Sequence, residues 1–271
     1  MNILVTLDSN YKEQLVVMVY SLLKSNKDIF FKIYVMNSSL TEEDFSYFMK
    51  YLPIDRCKFI DVKINEKKLN KAKVTDRYPK EMYYRIFAAF YLPKDIDKIL
   101  YLDPDLVVIN SLEKLYNIDL ENYFFAAASH VFGPISLFNK IRLQMEEDIY
   151  INSGVMVMNL KELRRHQNIK DVFKFIEKNE KYLILPDQDV ISGLYSSKIL
   201  PLDPYVYNMT ERLLAFKRVN KLNVNIKWIK ENTVIIHYCG RNKPWKENYK
   251  GRLNKFYLKY YNEVFKKNKL S

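Results

Sequence analysis

Two aspartates separated by one residue are the strongest chemical feature of the sequence. Asp103 and Asp105 follow the apolar run Lys98–Leu102, with Pro104 between them. Residues i and i+2 leaving a strand project to the same side, so these carboxylates are expected to converge on one point. Carboxylate oxygens suit Mg²⁺ or Mn²⁺, and such a cation can bridge and neutralise a diphosphate. The alternative is a turn whose aspartates accept hydrogen bonds from backbone amides.

A histidine ends another apolar run. His237 closes Thr233–His237, and Lys243 follows shortly after. As a third ligand, the imidazole would shift the preference from Mg²⁺ toward Mn²⁺. Lys243 would supply a point charge for a phosphate. The alternative for His237 is a hydrogen-bonded structural residue at a strand end.

Three further polar segments carry groups that could bind a ligand. Asn152–Gly154 precedes an apolar run, and its small polar groups could bond hydroxyls; the alternative is a plain turn. Asp187–Asp189 follows a proline at the start of a helical pattern, where one aspartate is expected to be the N-cap. In Asp8–Tyr11, Tyr11 could stack on a base while Asp8 accepts from it; the alternative is that Tyr11 packs on its own helix.

Composition excludes the common phosphate-binding loops. The 271 residues include only five glycines, and neither G-x-G-x-x-G nor G-x-x-x-x-G-K-[ST] occurs. A Rossmann-type dinucleotide enzyme and a P-loop NTPase are therefore disfavoured. Cys57 and Cys239 form no C-x-x-C pair and no zinc spacing, and the N-terminus has no basic leader, which predicts a reduced, cytoplasmic protein.

The elements that must position these residues alternate between two periodicities. Apolar runs of strand length lie at 2–7, 30–36, 57–62, 98–102, 124–128, 155–158 and 234–237. Helical patterns lie at 15–23, 81–91, 169–179 and 223–230, and another helix is predicted to start at Thr41. Strands alternating with helices predict an α/β fold with a largely parallel sheet. Ligands of such sheets bind beyond the carboxyl ends of the strands, where Asp8, Asp103 and His237 fall.

Two basic segments stand apart from this pattern. Lys63–Lys80 lacks an apolar period and is predicted to be a mobile loop that could act as a lid. Residues 241–271 hold ten Lys/Arg and two Asp/Glu, which is a large share of the net charge of +12. Apolar residues recur at helical spacing there, which predicts a basic amphipathic helix that binds anionic lipid. The alternative is a helix docked on the core with a solvated basic edge.

Taken together and in order, the motifs resemble those of glycosyltransferase family 8. They are Asp8-Ser9-Asn10-Tyr11, Asp103-Pro104-Asp105, Asn152-Ser153-Gly154, Asp187-Gln188-Asp189 and His237-Tyr238-Cys239-Gly240 with Lys243-Pro244-Trp245. The chain is similar to the bacterial lipopolysaccharide galactosyltransferases and glucosyltransferases of that family over about residues 1–250. The ordered combination is specific where no single motif is.

The resemblance implies a GT-A fold, with one mixed, mostly parallel sheet flanked by helices, and a role for each motif. The implied roles are Mn²⁺ ligation by Asp103, Asp105 and His237; uridine contact by Asp8, Asn10 and Tyr11; diphosphate contact by Gly240 and Lys243; donor-sugar binding by Arg85, Asn152, Ser153 and Asp187; and catalysis by Gln188 and Asp187. A UDP-sugar, UDP-galactose or UDP-glucose, would react with retention at the anomeric carbon.

The sequence therefore predicts a retaining hexosyltransferase that depends on Mn²⁺, with Mg²⁺ as the alternative ion. It would move galactose or glucose to a hydroxyl of a glycan or a lipid-linked saccharide at the inner face of the membrane. Residues 1–245 would form the catalytic domain and residues 246–271 a basic helical appendage.

Two other functions remain open on the residues alone. One is a metal-dependent sugar nucleotidyltransferase, which the scarcity of glycine disfavours. The other is a nucleic-acid-binding domain, since a charge of +12 and 22 tyrosines supply attraction and stacking. No nucleic acid is expected, because paired carboxylates would repel phosphates.

Overall fold

The computed structural model describes residues 1–64, 81–216 and 223–266. Its first part alternates strands with helices as the sequence predicts. The elements are β1 (Asn2–Thr6), α1 (Lys12–Ser25), β2 (Phe31–Asn37), α2 (Glu42–Tyr51) and β3 (Cys57–Lys63). Thr41 and Asp44 form a reciprocal capping box that fixes the start of α2.

The middle of the chain brings in the strands that carry the site. The elements are α3 (Glu81–Tyr84), a 3₁₀ turn (Arg85–Phe87), α4 (Ala88–Tyr91), β4 (Lys98–Leu102), β5 (Leu106–Val108), α5 (Glu113–Tyr116), β6 (Phe125–Ala128), α6 (Pro134–Leu143) and β7 (Val155–Asn159). The single helix predicted over residues 81–91 is wrong, because the 3₁₀ turn interrupts it at Arg85. Tertiary contacts of the buried Arg85 side chain accompany this break.

The remaining elements are shorter. They are α7 (Leu160–His166), α8 (Ile169–Asn179), α9 (Pro186–Tyr195), β8 (Ile199–Leu202), α10 (Pro204–Tyr207), α11 (Glu211–Phe216), α12 (Ile226–Asn232), β9 (Ile235–His237) and α13 (Asn254–Tyr261). Asn225 caps α12 by accepting from the Trp228 amide. Asn168 caps α8 by accepting from the Lys170 amide.

The described strands form a mixed, mostly parallel sheet of seven, in the order β3-β2-β1-β4-β7-β6-β8. Only β7 runs antiparallel to its neighbours in it, β4 and β6. The predicted α/β class is confirmed. Because β1 and β4 are parallel neighbours, Asp8 and Asp103 follow strands that end at the same edge. The β4–β7 register pairs Leu102 with Val155, so Asp103 lies beside Gly154 and its amide donates to the Gly154 carbonyl at 2.9 Å.

His237 belongs to a separate two-stranded sheet, contrary to its expected place at an end of the main sheet. Strand β9 pairs antiparallel with β5, and Leu106 is the register partner of His237. Since β5 starts one residue after Asp105, this pairing brings the histidine to the two aspartates. The Tyr238 amide donates to the Asp105 carbonyl at 2.9 Å and continues the ladder. The close approach of His237 therefore depends on a pairing of distant segments.

Buried apolar residues cover both faces of the main sheet. Along β1, Ile3 and Val5 belong to one cluster and Leu4 to the other, as the alternation of a strand requires. Helix α1 lies in the first cluster. The C-terminal segment lies there too, through Leu253, Phe256, Tyr257, Tyr260 and Val264.

The two basic segments predicted from the sequence have different outcomes. The basic loop predicted at residues 63–80 falls outside the described residues after Ile64. At the other end, Lys255 and Lys259 are exposed on α13. Among the described residues, no helix combines the length and the apolar character needed to cross a membrane.

Candidate metal centre and adjoining pocket

Asp103, Asp105 and His237 converge at the carboxyl edge of β1 and β4. One donor atom from each lies within 4.8 Å of the others. The His237 Nε2 atom is 3.2 Å from Asp105 Oδ1 and 3.6 Å from Asp103 Oδ2. The side chains of His237 and Asp105 are buried, while Asp103 is partly exposed. The spacing of the two aspartates thus produces the convergence expected from the sequence.

The outer carboxylate oxygens are held by other side chains. Tyr101 donates its hydroxyl to Asp103 Oδ1 at 2.6 Å, and Arg85 Nη1 lies 3.0 Å from the same oxygen. Lys243 Nζ donates to Asp105 Oδ2 and to the Tyr238 carbonyl. Each aspartate therefore has one oxygen that contacts these other side chains and one oxygen that faces His237.

The charges of these neighbours control the ionisation of the buried groups. Burial alone would raise the pKa of Asp105, but His237 and Lys243 outweigh it and hold this pKa well below its usual range. Burial would lower the pKa of Arg85, and the carboxylates of Asp103 and Asp187 raise it instead. Asp105 and Arg85 are thus held as charged groups in a buried setting.

The site requires a glycine at position 154. A Cβ built on Gly154 would lie 2.6 Å from Asp103 Oδ2 and closer still to the imidazole of His237. Contacts that short would force the side chains of Asp103 and His237 to move. The Asn152–Gly154 turn is therefore part of the wall of the metal centre.

A buried ion pair connects the metal centre with the start of α9. Arg85 Nη1 lies 3.2 Å from Asp187 Oδ2, and Ser153 Oγ donates to that oxygen at 2.6 Å. Burial raises the pKa of Asp187, and Arg85 and Ser153 oppose that rise. Within the described residues, the other oxygen, Asp187 Oδ1, is buried without a hydrogen-bond partner. That acceptor is open to a polar group of a ligand.

Asn152 and Ser153 fix the side-chain amide of Gln188. Its Oε1 accepts from Asn152 Nδ2 at 2.8 Å and from the Ser153 amide at 3.4 Å. Its Nε2 lies 3.4 Å from the Tyr150 hydroxyl. Asn152, Ser153, Asp187 and Gln188, predicted as one pocket, are thus in direct contact with one another.

The predicted aspartate N-cap of α9 is wrong. The cap position is Leu185, and no side chain caps it. Asp189, wholly buried, instead accepts from the amides of Ile184 and Leu185 and from Tyr150. Arg142 closes the cluster with two hydrogen bonds, at 2.8 and 2.9 Å, to the Asp189 carboxylate. This ion pair joins α6 to the helix start that carries Asp187 and Gln188.

Most of the residues predicted to hold a nucleotide lie after β1 and in the loop after β9. Asp8 accepts from the Asn10 amide at 2.8 Å in a 3₁₀ turn after β1, and Asn10 is exposed. The Tyr11 ring meets Trp245 edge-on, with centroids 6.2 Å apart. Lys243 Nζ is 5.6 Å from the centroid of the Trp245 ring. These side chains form a half-buried aromatic and basic wall beside Asp105.

Gly240 lies in the loop after β9. Its φ of +83° is in the region that favours glycine. No heavy atom outside its immediate neighbours comes within 4 Å of a Cβ built there. Because Gly240 has no side chain, the backbone of this loop stays open to the pocket.

A cavity of about 560 Å³ adjoins the metal centre. Predicted residues that line it are Arg85, Asp103, Asp105, Asn152, Ser153, Asp187, Gln188, His237 and Gly240. Its size is in the range of ligand pockets. The residues that line it in the described chain do not include Asp8, Asn10, Tyr11 or Lys243.

Sequence reasoning missed several polar residues of the pocket. His130, Tyr150, Glu211 and Arg212 line it without having been singled out. His130 does not take up a proton readily, because its burial and the nearby His237 lower its pKa to about 4. Asn208, which is wholly buried, lies 3.0 Å from His237 Nδ1. None of these residue types stands in a local pattern that marks it.

The donor set fits a divalent cation such as Mn²⁺ or Mg²⁺. Ligands that are adjacent in an octahedral shell lie about 3 Å apart, close to the separations of His237 Nε2 from the two carboxylates. Two carboxylates and an imidazole are a combination that Mn²⁺ accepts. Because Gly154 has no Cβ atom, space remains beside two of the three candidate ligands, Asp103 and His237.

Comparison with known proteins gives a consistent result across the chain. The profile of the family described as Glycosyl transferase family 8 matches residues 2–249. A lipopolysaccharide 1,2-glucosyltransferase of Escherichia coli (strain K12) is 28% identical over 248 residues, which cover 90% of this chain and 72% of that protein. General stress protein A of Bacillus subtilis (strain 168) is 26% identical, covering 96% of this chain and 92% of that one.

The fold has a similarly close counterpart among solved structures. The crystal structure of the galactosyltransferase LgtC in complex with donor and acceptor sugar analogs superposes with a TM-score of 0.82 at 25% identity. The match covers 98% of this chain and 96% of that chain. The sheet and the helices around it therefore match over nearly the full length of both molecules.

Proposed function

The chain belongs to glycosyltransferase family 8, and we propose that it is a retaining hexosyltransferase that moves galactose or glucose from a UDP-sugar to a hydroxyl acceptor, with Mn²⁺ as its cofactor. The observation that carries the proposal is the convergence of Asp103, Asp105 and His237 beside a cavity of about 560 Å³. The acceptor would be a glycan or a lipid-linked saccharide. The family assignment favours this reaction over a sugar nucleotidyltransferase and over a nucleic-acid-binding domain.

Two carboxylates, an imidazole and a lysine define how the proposed site would bind its donor. Asp103, Asp105 and His237 would hold the cation, which when bound neutralises charge on the diphosphate leaving group. Lys243 now donates to Asp105 and lies at the nucleotide side of the centre, so its charge is available to the same diphosphate. Tyr11 would stack on the uracil base.

The other end of the pocket supports binding of the sugar. Asp187 Oδ1 is a buried acceptor without a partner in the described chain, which suits a sugar hydroxyl. Arg85 fixes the opposite oxygen of Asp187 and contacts Asp103, so one side chain couples the sugar end to the metal end. The barrier is the departure of UDP from a carbon that becomes oxocarbenium-like, and a fixed carboxylate nearby stabilises that charge.

Retention has two routes, and the contacts of Gln188 favour one of them. Its Oε1 already accepts from Asn152 and from the Ser153 amide, which makes it a weak nucleophile. An attack of the acceptor on the face that UDP leaves needs no covalent bond to the protein. We therefore assign Gln188 the positioning and stabilisation of the anomeric carbon rather than a covalent step.

A panel of nucleotide sugars tests the proposed donor. UDP-galactose and UDP-glucose should raise the melting temperature in the presence of Mn²⁺, and both shifts should vanish with a chelator. Ligand at about 100 times its dissociation constant stabilises by about 2.7 kcal/mol. Stabilisation by nucleoside triphosphates, with release of pyrophosphate, would instead support the nucleotidyltransferase.

The stereochemistry is tested on the first product formed. Donor hydrolysis or transfer to a simple sugar acceptor gives a new anomeric centre whose proton coupling constant distinguishes α from β. The proposal predicts an α product from a UDP-α-hexose. A β product formed first would contradict retention.

A further inference from the structure

Asn208 is a buried residue that the proposed reaction has not yet used. It has no exposed surface and follows α10, next to the bridge that Met209 forms with Ile236. Its amide donates to the Pro204 carbonyl at 3.1 Å, and its carbonyl lies 2.8 Å from His130 Nε2. Its side chain lies between two segments of the site. Oδ1 is 3.0 Å from His237 Nδ1, and Nδ2 is 3.0 Å from Asn152 Oδ1.

The direction of these hydrogen bonds is set by a backbone amide. The Gly154 N–H, which can only donate, points at the side-chain oxygen of Asn152 at 3.2 Å. That oxygen therefore accepts the second bond as well, so the Asn208 group facing it must be the NH₂. The remaining Asn208 atom, which faces His237 Nδ1, is then the oxygen.

A second backbone amide gives the same polarity. The Ser153 N–H donates to Gln188 Oε1, which makes that atom an acceptor. The Asn152 group bonded to it at 2.8 Å is consequently the NH₂, which again leaves the Asn152 oxygen for Gly154 and Asn208. Two fixed donors in one turn thus orient three side-chain amides.

We propose that Asn208 is a positioning residue that keeps a hydrogen of His237 on Nδ1 and so leaves Nε2 to ligate a cation between Asp103 and Asp105. An oxygen facing Nδ1 requires a hydrogen there, so Nε2, which faces the carboxylates, is the nitrogen that can give up its hydrogen to a cation. Without that oxygen, the carboxylates 3.2 and 3.6 Å from Nε2 would favour the hydrogen on Nε2 and close the ligand position. The inference rests on the proposed function, because it concerns the same metal centre.

The same chain of amides connects the metal ligand with the sugar end of the pocket. It runs from His237 through Asn208 and Asn152 to Gln188. Hydrogen bonds to a ligating histidine fix its ring and tautomer, and their loss costs 10–100-fold in metal affinity in other proteins. Asn208 acts through His237 and touches neither donor nor acceptor.

Two substitutions at Asn208 separate the effect of its hydrogen bond to His237 from the effect of its packing. Asn208→Leu keeps the volume and removes the acceptor, whereas Asn208→Asp keeps an oxygen that can face Nδ1. Asn179→Leu is the matched control, since Asn179 is another buried asparagine, bonded to the Phe175 carbonyl. Melting temperatures confirm that each variant is folded.

The tautomer is read directly by long-range ¹H–¹⁵N correlation of the histidine rings in metal-free protein. The chain has only three histidines, and His237→Gln identifies the signal of interest. Wild type and the Asn179→Leu control should show a hydrogen on Nδ1 of His237, whether or not Nε2 carries one as well. Asn208→Leu should show the Nε2–H form, and Asn208→Asp should restore Nδ1–H.

Manganese affinity, measured by electron paramagnetic resonance of free Mn²⁺, gives the second readout. Asn208→Leu should bind Mn²⁺ about 10–100-fold more weakly than wild type, and Asn208→Asp within a few-fold of it. A wild-type ring with hydrogen on Nε2 and none on Nδ1, or unchanged ring protonation and Mn²⁺ affinity in folded Asn208→Leu, would overturn the inference. If wild type shows the Nδ1–H form set by Asn208 but binds no Mn²⁺, the proposed function fails while the positioning role stands.

Discussion

Gly154 lies so close to the imidazole of His237 that no side chain fits between them. A Cβ at this position would also lie 2.6 Å from Asp103 Oδ2. The wall of the metal centre is therefore backbone, supplied by the turn that leads into β7. This contact explains why the Asn152–Gly154 turn and the two aspartates belong to one site.

Gly154→Ala should abolish metal-dependent binding of UDP. The methyl group must displace His237 or Asp103, which separates the ligand atoms. Titration calorimetry with UDP and Mn²⁺ measures the loss. Gly133→Ala is the control: unlike Gly154, Gly133 has a positive φ of 57°, so an alanine is strained there, yet its Cβ meets no atom within 4 Å. Normal UDP binding by Gly154→Ala would show that the ligands lie elsewhere.

Asp187→Ala and Gln188→Ala should lower kcat by orders of magnitude while UDP binding changes little. Both residues line the pocket and are proposed to contact the sugar and not the nucleotide. An interaction made only in the transition state reduces turnover without a matching loss of ground-state affinity. The release of UDP from the donor and the dissociation constant of UDP are the two measurements. Asp171→Ala, at an exposed position of α8, should leave both unchanged, and turnover near wild type in Gln188→Ala would remove that residue from the mechanism.

Asp189→Ala should destabilise the fold by about 3–5 kcal/mol, because it leaves the Arg142 charge buried without its partner. The Asp189 side chain is wholly buried and that of Arg142 is 7% exposed. Urea unfolding measures the change in the free energy of unfolding, with Asp171→Ala again as the exposed control. A loss below about 1 kcal/mol would mean that the ion pair contributes little to stability.

Binding to anionic vesicles, proposed for the C-terminal segment, should be purely electrostatic. The apolar residues of α13, among them Phe256 and Tyr257, pack in the core, which leaves the exposed Lys255 and Lys259 to face a membrane. Flotation with vesicles rich in phosphatidylserine should succeed at low salt and fail near 1 M salt, where the Debye length is about 3 Å. Lys255→Gln with Lys259→Gln should weaken it, whereas binding that ignores lipid charge and salt would remove the hypothesis.

Local patterns in the sequence predicted the strands of the first half and the pair Asp103 and Asp105, because each depends on neighbours in the chain. The position of His237 depends on the pairing of β9 with β5, and no local pattern specifies such a pairing. Asn208 illustrates the same limit. Its contacts with Asn152 and His237 join residues 56 and 29 positions apart.

Helix α6 was missed for a different reason. Its polar residues Ser136 and Asn139 are buried, whereas Ile135 is 48% and Ile141 is 70% exposed. The usual relation between apolar periodicity and burial is inverted there, so the pattern gives no helix signal. Ser136 donates its hydroxyl to Asp148, beyond the end of the helix, and Asn139 accepts from Arg142 one turn later in the same helix.

Titration of UDP into the protein with and without Mn²⁺ tests the central claim, that a metal held by Asp103, Asp105 and His237 binds the diphosphate. Wild type should bind UDP in the presence of Mn²⁺ and lose at least tenfold in affinity when a chelator is added. Asp103→Asn should behave with Mn²⁺ as wild type does without it, and Asp28→Asn, an exposed aspartate, should behave as wild type. Equal UDP affinity with Mn²⁺ and with the chelator, or full metal dependence in Asp103→Asn, would contradict the claim.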